Sequence, residues 1–341
     1  MNSTRNLPAD QLQLTLTNII STISTITNLL GFYIILMQKT RENRTFTYAQ
    51  LLYQVVLYLS QFYAGTVLNI VFLFPIPGAY CIGWLKHLTG TGALVAFIVF
   101  DLLFSFQGVL LAGLMVLKVG AIARPNSPFK MTPFGQNLFL YLLFSLPLCS
   151  QAFVLLATQS TRSQIELFLS NEHPSMTFLL RYPFIWMLTT TRHFVALITN
   201  TFGCIGIVFL IFLMCFIILI FELDLQVNSM SRATNKYHKK MAMEFLIHTL
   251  VSLQFFVLVP LVFVIKFFLN EETDLSIITA IAFSFFVFAP IPSILVFILK
   301  NPFYRAFIIA KVGFPCRSTR RITAARGSSK FVNSRVSDLR R

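Results

Sequence analysis

Asp101 stands within a long, otherwise uncharged apolar run, Leu88–Leu117, where water cannot solvate a carboxylate. It lies about a dozen residues past Leu88, about 18 Å at 1.5 Å of helical rise per residue. A carboxylate at that depth is costly and must face a bundle interior or a water-filled cavity. There it either anchors a polar or cationic ligand or, neutral or hydrogen-bonded, pins neighbouring helices. Other polar side chains sit within apolar runs: Gln61, Asn69, Gln107, Asn200, His248 and Gln254. Groups of this kind share cavities or bond across helices. Gln107 and Asn200 join Asp101 as ligand-binding candidates. So do Arg192 and His193, which precede the run Phe194–Phe221 and would meet an incoming ligand or anchor at an interface.

Signatures of catalysis are missing. The chain has no G-x-S-x-G, no H-E-x-x-H, no phosphate-binding glycine loop and no paired His/Cys metal spacing. The 5 histidines are scattered. The expectation is therefore no enzyme, no metal site and no cofactor. The 5 cysteines form no disulfide framework. Cys149, Cys204 and Cys215 lie inside apolar runs and Cys316 beyond the last. Cys81, in the loop after the second run, has no partner in the long loop before the fifth.

The elements that must position these groups follow from composition. Apolar residues make up 56% of the 341-residue chain and charged ones 11%, against roughly 25% charged in ordinary globular proteins. One water-facing domain cannot hide that surface, so lipid is the solvent for much of it. A helix needs about 20 mostly apolar residues to cross a roughly 30 Å hydrocarbon core. Seven runs qualify: Leu14–Met37, Thr47–Phe74, Leu88–Leu117, Met131–Thr158, Phe194–Phe221, Phe245–Ile265 and Leu275–Leu299. Helices satisfy their own backbone, which lipid cannot do. The fold class expected is thus an all-α membrane protein, a seven-transmembrane helix bundle. Pro147, Pro260, Pro290 and Pro292 each remove a backbone donor and invite a kink.

Lys and Arg set the orientation. With the N-terminus outside, short inner loops hold Lys39, Arg41, Arg44, Lys118, Arg124, Lys130, Arg232, Lys236, Lys239 and Lys240, and a basic tail starts at Lys300. Outer segments hold only Arg5, Lys86, Arg162, Arg181, Arg192 and Lys266. The net charge of +15 therefore points to the anionic inner membrane face rather than to nucleic acid. Asn2-Ser3-Thr4 is a glycosylation acceptor on the outer side. The first apolar run is too long for a signal core and stays as a span. In the outer loop Gln159–Arg192, the apolar segment Phe178–Leu188 reads as a lid over a cavity in preference to an extension of the fifth span. Residues 301–311 form a short amphipathic helix on the inner surface, closing a receptor domain over 1–311. Cys316 follows as a palmitoylation candidate, and 312–341 is a basic disordered tail.

Seven spans, an outside N-terminus and a surface helix resemble a G protein-coupled receptor. Gln254 and Pro260, spaced as Q-x-x-x-x-x-P, and Pro292-Ser293-Ile294 running into Lys300-Asn301-Pro302-Phe303-Tyr304-Arg305, resemble the nematode serpentine chemoreceptors of the Srh/Sri type. That resemblance implies a chemosensory receptor in the plasma membrane of sensory cilia. It implies as well a small odorant or pheromone as ligand and signalling to a heterotrimeric G protein. A second receptor copy and membrane lipid are candidate partners. The loop disulfide of many seven-helix receptors has no counterpart here. Such receptors also end the third helix with an arginine motif, whereas this chain reads Leu117-Lys118-Val119-Gly120, with Arg124 the nearest arginine. Lys118 and Arg124, with Arg305 of the surface helix, are the signalling candidates. The rival readings are a transporter or channel, which favours internal repeats not present here, and an odorant-gated channel subunit, which requires the N-terminus inside.

Overall fold

The structure, a computed structural model, describes residues 7–37, 44–73, 76–226, 239, 243, 246–247, 276–300 and 302–312. In chain order come α1 (Leu7–Met37), α2 (Arg44–Phe62), a π-helical turn (Tyr63–Leu68), β1 (Ile70–Leu73), β2 (Gly78–Cys81), α3 (Gly90–Ile122) and α4 (Pro133–Ala157). They are followed by α5 (Arg162–Glu172), a 3-10 helix (Pro174–Arg181), β3 (Ile185–Met187), α6 (Thr191–Leu225), α7 (Ser276–Phe288), α8 (Pro290–Lys300) and α9 (Pro302–Val312). Among the described residues, 6 stretches are long and apolar enough to cross a membrane: Ala9–Met37, Tyr48–Leu68, Gly90–Ile122, Pro133–Ala157, Thr191–Leu225 and Ile277–Leu299. The expected sixth span, Phe245–Ile265, lies outside the described residues apart from Leu246 and Ile247, as do Asn2, His248, Gln254, Pro260, Cys316 and the 313–341 tail.

Local chemistry sets the ends. Thr132 caps α4 by accepting a hydrogen bond from the Gly135 backbone N–H at 3.1 Å, with Pro133 in the first turn. Thr161 and Gln164 form a capping box at the start of α5. The seventh span breaks at Ala289, between α7 and Pro290, because proline has no N–H to continue the ladder. Pro147 is carried inside α4.

The outward faces are apolar: Phe153, Ile207, Met214 and Leu299 are all exposed, the arrangement expected when lipid is the solvent. Lipid offers no hydrophobic drive to join helices, so the seams depend on close packing and polar bonds. α3 runs through the centre against α2, α4 and α6, while α1 lies against α7 and α8. At Gly31 an added Cβ would stand 2.4 Å from Ile294 Cγ1. Ser293, beside it and fully buried, accepts a bond from Gln54 Nε2 at 2.8 Å. The Ser293-Ile294 motif thus joins α8 to α1 and α2. Tyr304, equally buried, packs its ring 5.5 Å from Phe297 and docks α9, leaving Arg305 exposed.

The second span differs from its sequence reading. The helix does not run to Phe74. After Phe62 it widens into the π-helical turn, and Asn69 takes a left-handed conformation at φ 45°. Its side chain explains that conformation: Asn69 Nδ2 donates to Thr17 Oγ1 at 2.8 Å, and Gln13 Nε2 donates to Asn69 Oδ1 at 2.9 Å and to the Ile70 carbonyl at 2.7 Å. The chain then enters a three-stranded antiparallel sheet ordered β1-β2-β3, pairing Ile70 with Cys81 and Tyr80 with Ile185. Phe178–Leu188 is accordingly no extension of the fifth span: it holds the end of the 3-10 helix and β3. Arg162 pins it by donating to the carbonyls of Leu180, Tyr182 and Pro183. Tyr80 OH donates to Asp10 Oδ2 at 2.7 Å and its ring lies 4.3 Å from Tyr182, so the start of α1 joins the same cap.

Backbone pairing across β2 and β3 ties the loop to the bundle, and Cys81, at the end of β2 opposite Ile70, is a free, buried thiol bonded to the Leu68 carbonyl. Burial pushes the thiol up to about 11. Thiolate is the reactive form, so Cys81 is expected to resist N-ethylmaleimide in the folded protein at neutral pH and to react once the protein is denatured in detergent. Mass spectrometry of labelled peptides checks this, and rapid labelling of the folded state would contradict it.

Candidate functional site

A cavity of about 190 Å³ opens beneath the sheet, between α3, α4, α6 and α7. Four residues of α3 line it: Phe97, Phe100, Asp101 and Phe104. Their spacing of i, i+3, i+4 and i+7 places them on one helical face. The sheet supplies Phe72, Gly78 and Trp186 from above, with Trp186 stacked on Phe97 at 4.3 Å and 13°. α6 contributes Phe194, Leu197, Thr201 and Phe202, and α7 contributes Phe283 and Phe286. The wall is thus apolar almost throughout, and half of its lining residues are aromatic.

Asp101, Trp186 and Thr201 bring polar atoms to it, and two of these atoms are unpaired. Asp101 Oδ2 and Trp186 Nε1 are both buried without a hydrogen-bond partner among the described residues. A buried acceptor and a buried donor left unpaired are each costly, and both belong to residues that line the same space. No Lys, Arg or His lines it among the described residues.

The remaining ligand candidates from the sequence do not line this cavity. Gln107 is fully buried and donates to Ser60 Oγ, joining α3 to α2. Asn200 Nδ2 donates to Gln151 Oε1 at 3.0 Å, joining α6 to α4. Thr201, one residue on, both lines the cavity and reaches Gln151 at 3.4 Å. Arg192 is exposed and His193 half-buried on the first turn of α6, just ahead of the lining residue Phe194. Trp186 falls within the segment read as a lid, yet its identity as a lining residue could not be seen without the fold of the loop.

A second polar cluster occupies the opposite end of the bundle, beyond the last turn of α3. Arg124 Nε stands 3.0 Å from Glu222 Oε2, and the Arg124 backbone N–H donates to the same oxygen at 3.3 Å. Ser127 Oγ donates to Glu222 Oε1, and Gln226 Nε2 donates to the Ile122 carbonyl at 2.8 Å. The α3–α4 loop is thereby fastened to the end of α6. Lys118 is half-buried on α3 near this end. Glu222 escaped the sequence reading because it lies one residue past an apolar run; an acid in that position was the available signal.

No curated protein matches the chain. A family model does, described as the serpentine type 7TM GPCR chemoreceptor Sri, over residues 10–308. That range takes in most of α1, the cavity, the sheet above it and the break in the last span, and it is a family of receptors rather than of enzymes. The chain is a multi-pass membrane protein that belongs to the Sri family of serpentine seven-transmembrane chemoreceptors.

Proposed function

We propose that this chemoreceptor binds a small, mostly apolar ligand in the cavity beneath the sheet and signals to a heterotrimeric G protein from the opposite end. The observation that carries the reading is the cavity itself: an aromatic chamber in one half of the bundle, roofed by a loop strand and holding one buried carboxylate. Ligand sites are mostly apolar hollows with a few placed polar groups, and this one fits. Asp101 is the anchor, while Arg192 and His193 stand where a ligand would pass. Gln107 and Asn200 act through helix packing.

The charge distribution supports an orientation with the sheet outside: the other end and the tail carry most of the Lys and Arg. In this arrangement Asn2 is glycosylated outside, and Cys316 and the 312–341 tail meet anionic lipid within. The plasma membrane of sensory cilia is the expected site. Ligand biases an existing balance of helix arrangements and so alters the face offered by Lys118, Arg124 and Arg305.

Tags at both ends of the chain, tested in intact cells together with second-messenger output to an odorant panel, check the reading. The N-terminal tag is expected at the surface and the C-terminal tag hidden. Thr201→Phe, which fills the cavity, is expected to abolish the response at unchanged surface level. A hidden N-terminal tag, or an odorant-evoked current independent of G protein, would overturn it.

A further inference from the structure

Resting on the reading of the cavity as the ligand site, we infer that it selects a small organic ammonium ion on an apolar or aromatic skeleton. Phe97, Phe100 and Phe104 bracket Asp101 on one face of α3, and Trp186 stacks on Phe97 beside them. Aromatic faces carry negative partial charge and attract cations. Among the described lining residues no cation balances the carboxylate, and its Oδ2 has no donor. A ligand that brings a positive charge and N–H groups supplies both at once.

Competing classes do less. An alcohol offers a hydrogen bond but no countercharge, without which the charged form of Asp101 is costly in these surroundings. A hydrocarbon fills space and leaves the oxygen unpaired. A carboxylate ligand adds a second negative charge. At about 190 Å³ the chamber is smaller than the roughly 300–1,000 Å³ of sites for drug-sized molecules, so the occupant is a compact amine. Trp186 Nε1 leaves room for one acceptor elsewhere on the same skeleton.

The test uses the full-length protein in lipid nanodiscs and four probes of one shape: phenethylamine, phenethyl alcohol, ethylbenzene and hydrocinnamate. Affinities are read by ligand-observed NMR and by the shift in melting temperature. The amine is expected to bind at least about tenfold more tightly than the alcohol or the hydrocarbon, with hydrocinnamate weakest. Asp101→Asn should erase the amine's advantage and leave ethylbenzene binding unchanged. The assignment is overturned if the alcohol or ethylbenzene matches the amine, if Asp101→Asn preserves the advantage, or if protein with a normal melting transition binds no amine. Thr201→Phe separates the two levels. Probes lost in that variant but indifferent to Asp101→Asn keep the cavity and reject the ammonium class; probes bound equally in Thr201→Phe and wild type reject the cavity itself.

Discussion

Glu222→Ala is expected to melt the folded receptor at a clearly lower temperature. Glu222 is 1% exposed and takes hydrogen bonds from the Arg124 guanidinium, the Arg124 backbone and the Ser127 hydroxyl. Arg124 is 39% exposed on its side chain, so water can replace the carboxylate at the guanidinium and screening weakens the ion pair. The heavier loss falls on the backbone N–H and hydroxyl of the loop. Bonds to a charged acceptor contribute about 1.5–3 kcal/mol each, and with solvent partly substituting, the total loss is about 2–4 kcal/mol. Arg124→Ala keeps the backbone and Ser127 bonds, so it should cost markedly less. Melting curves in nanodiscs rank the two variants. Equal destabilisation by both would assign the stability to the ion pair instead.

Gly83→Ala is expected to be more damaging still. A methyl at Gly83 would stand 2.6 Å from both the carbonyl carbon and the oxygen of Leu68 and 2.7 Å from the Thr66 oxygen. These are backbone atoms, so no rotamer change relieves the contact. They are also the open carbonyls of the π-helical turn, to which the loop after β2 is laced: Gly83 N–H donates to Leu68 at 2.9 Å and Leu85 N–H to Val67 at 3.0 Å. The methyl must push the loop off the turn, and β2 with it. Overpacking costs about 1–3 kcal/mol and more where backbone must move, so most of the protein should fail to reach the surface. Gly203→Ala, with open space around its added methyl, should be neutral or stabilising in its helix. Surface-expression counts and melting temperature compare the two. Normal expression of Gly83→Ala would mean that the cap gives way readily.

Both predictions concern residues that the apolar pattern left unremarked, and the reason is physical. Bilayer thickness imposes a length and a composition on each crossing, so the spans could be read from runs of residues. The price of a buried charge likewise made Asp101 conspicuous in one dimension, and the structure lines the cavity with it. The family motif at Ser293 and Ile294 was legible as well, though its work of joining α8 to α1 and α2 was not. Ile70–Leu73 is as apolar as the helix before it, so composition extended the span through it. What makes it a strand is the left-handed Asn69 and pairing with β2, which in turn pairs with Ile185–Met187, more than a hundred positions on.

Helix rotation made a similar decision for Gln107 and Asn200. Their types allowed a ligand contact, but their side chains face Ser60 and Gln151. Arg124 and Glu222 are 98 positions apart and meet because α3 and α6 end at the same level. The sequence by itself determined the solvent, the crossings and the one deep carboxylate, because those follow from transfer free energies summed residue by residue. Tertiary structure alone decided which polar groups face one another and what roofs the cavity, because directional bonds depend on the relative rotation and depth of elements far apart in the chain.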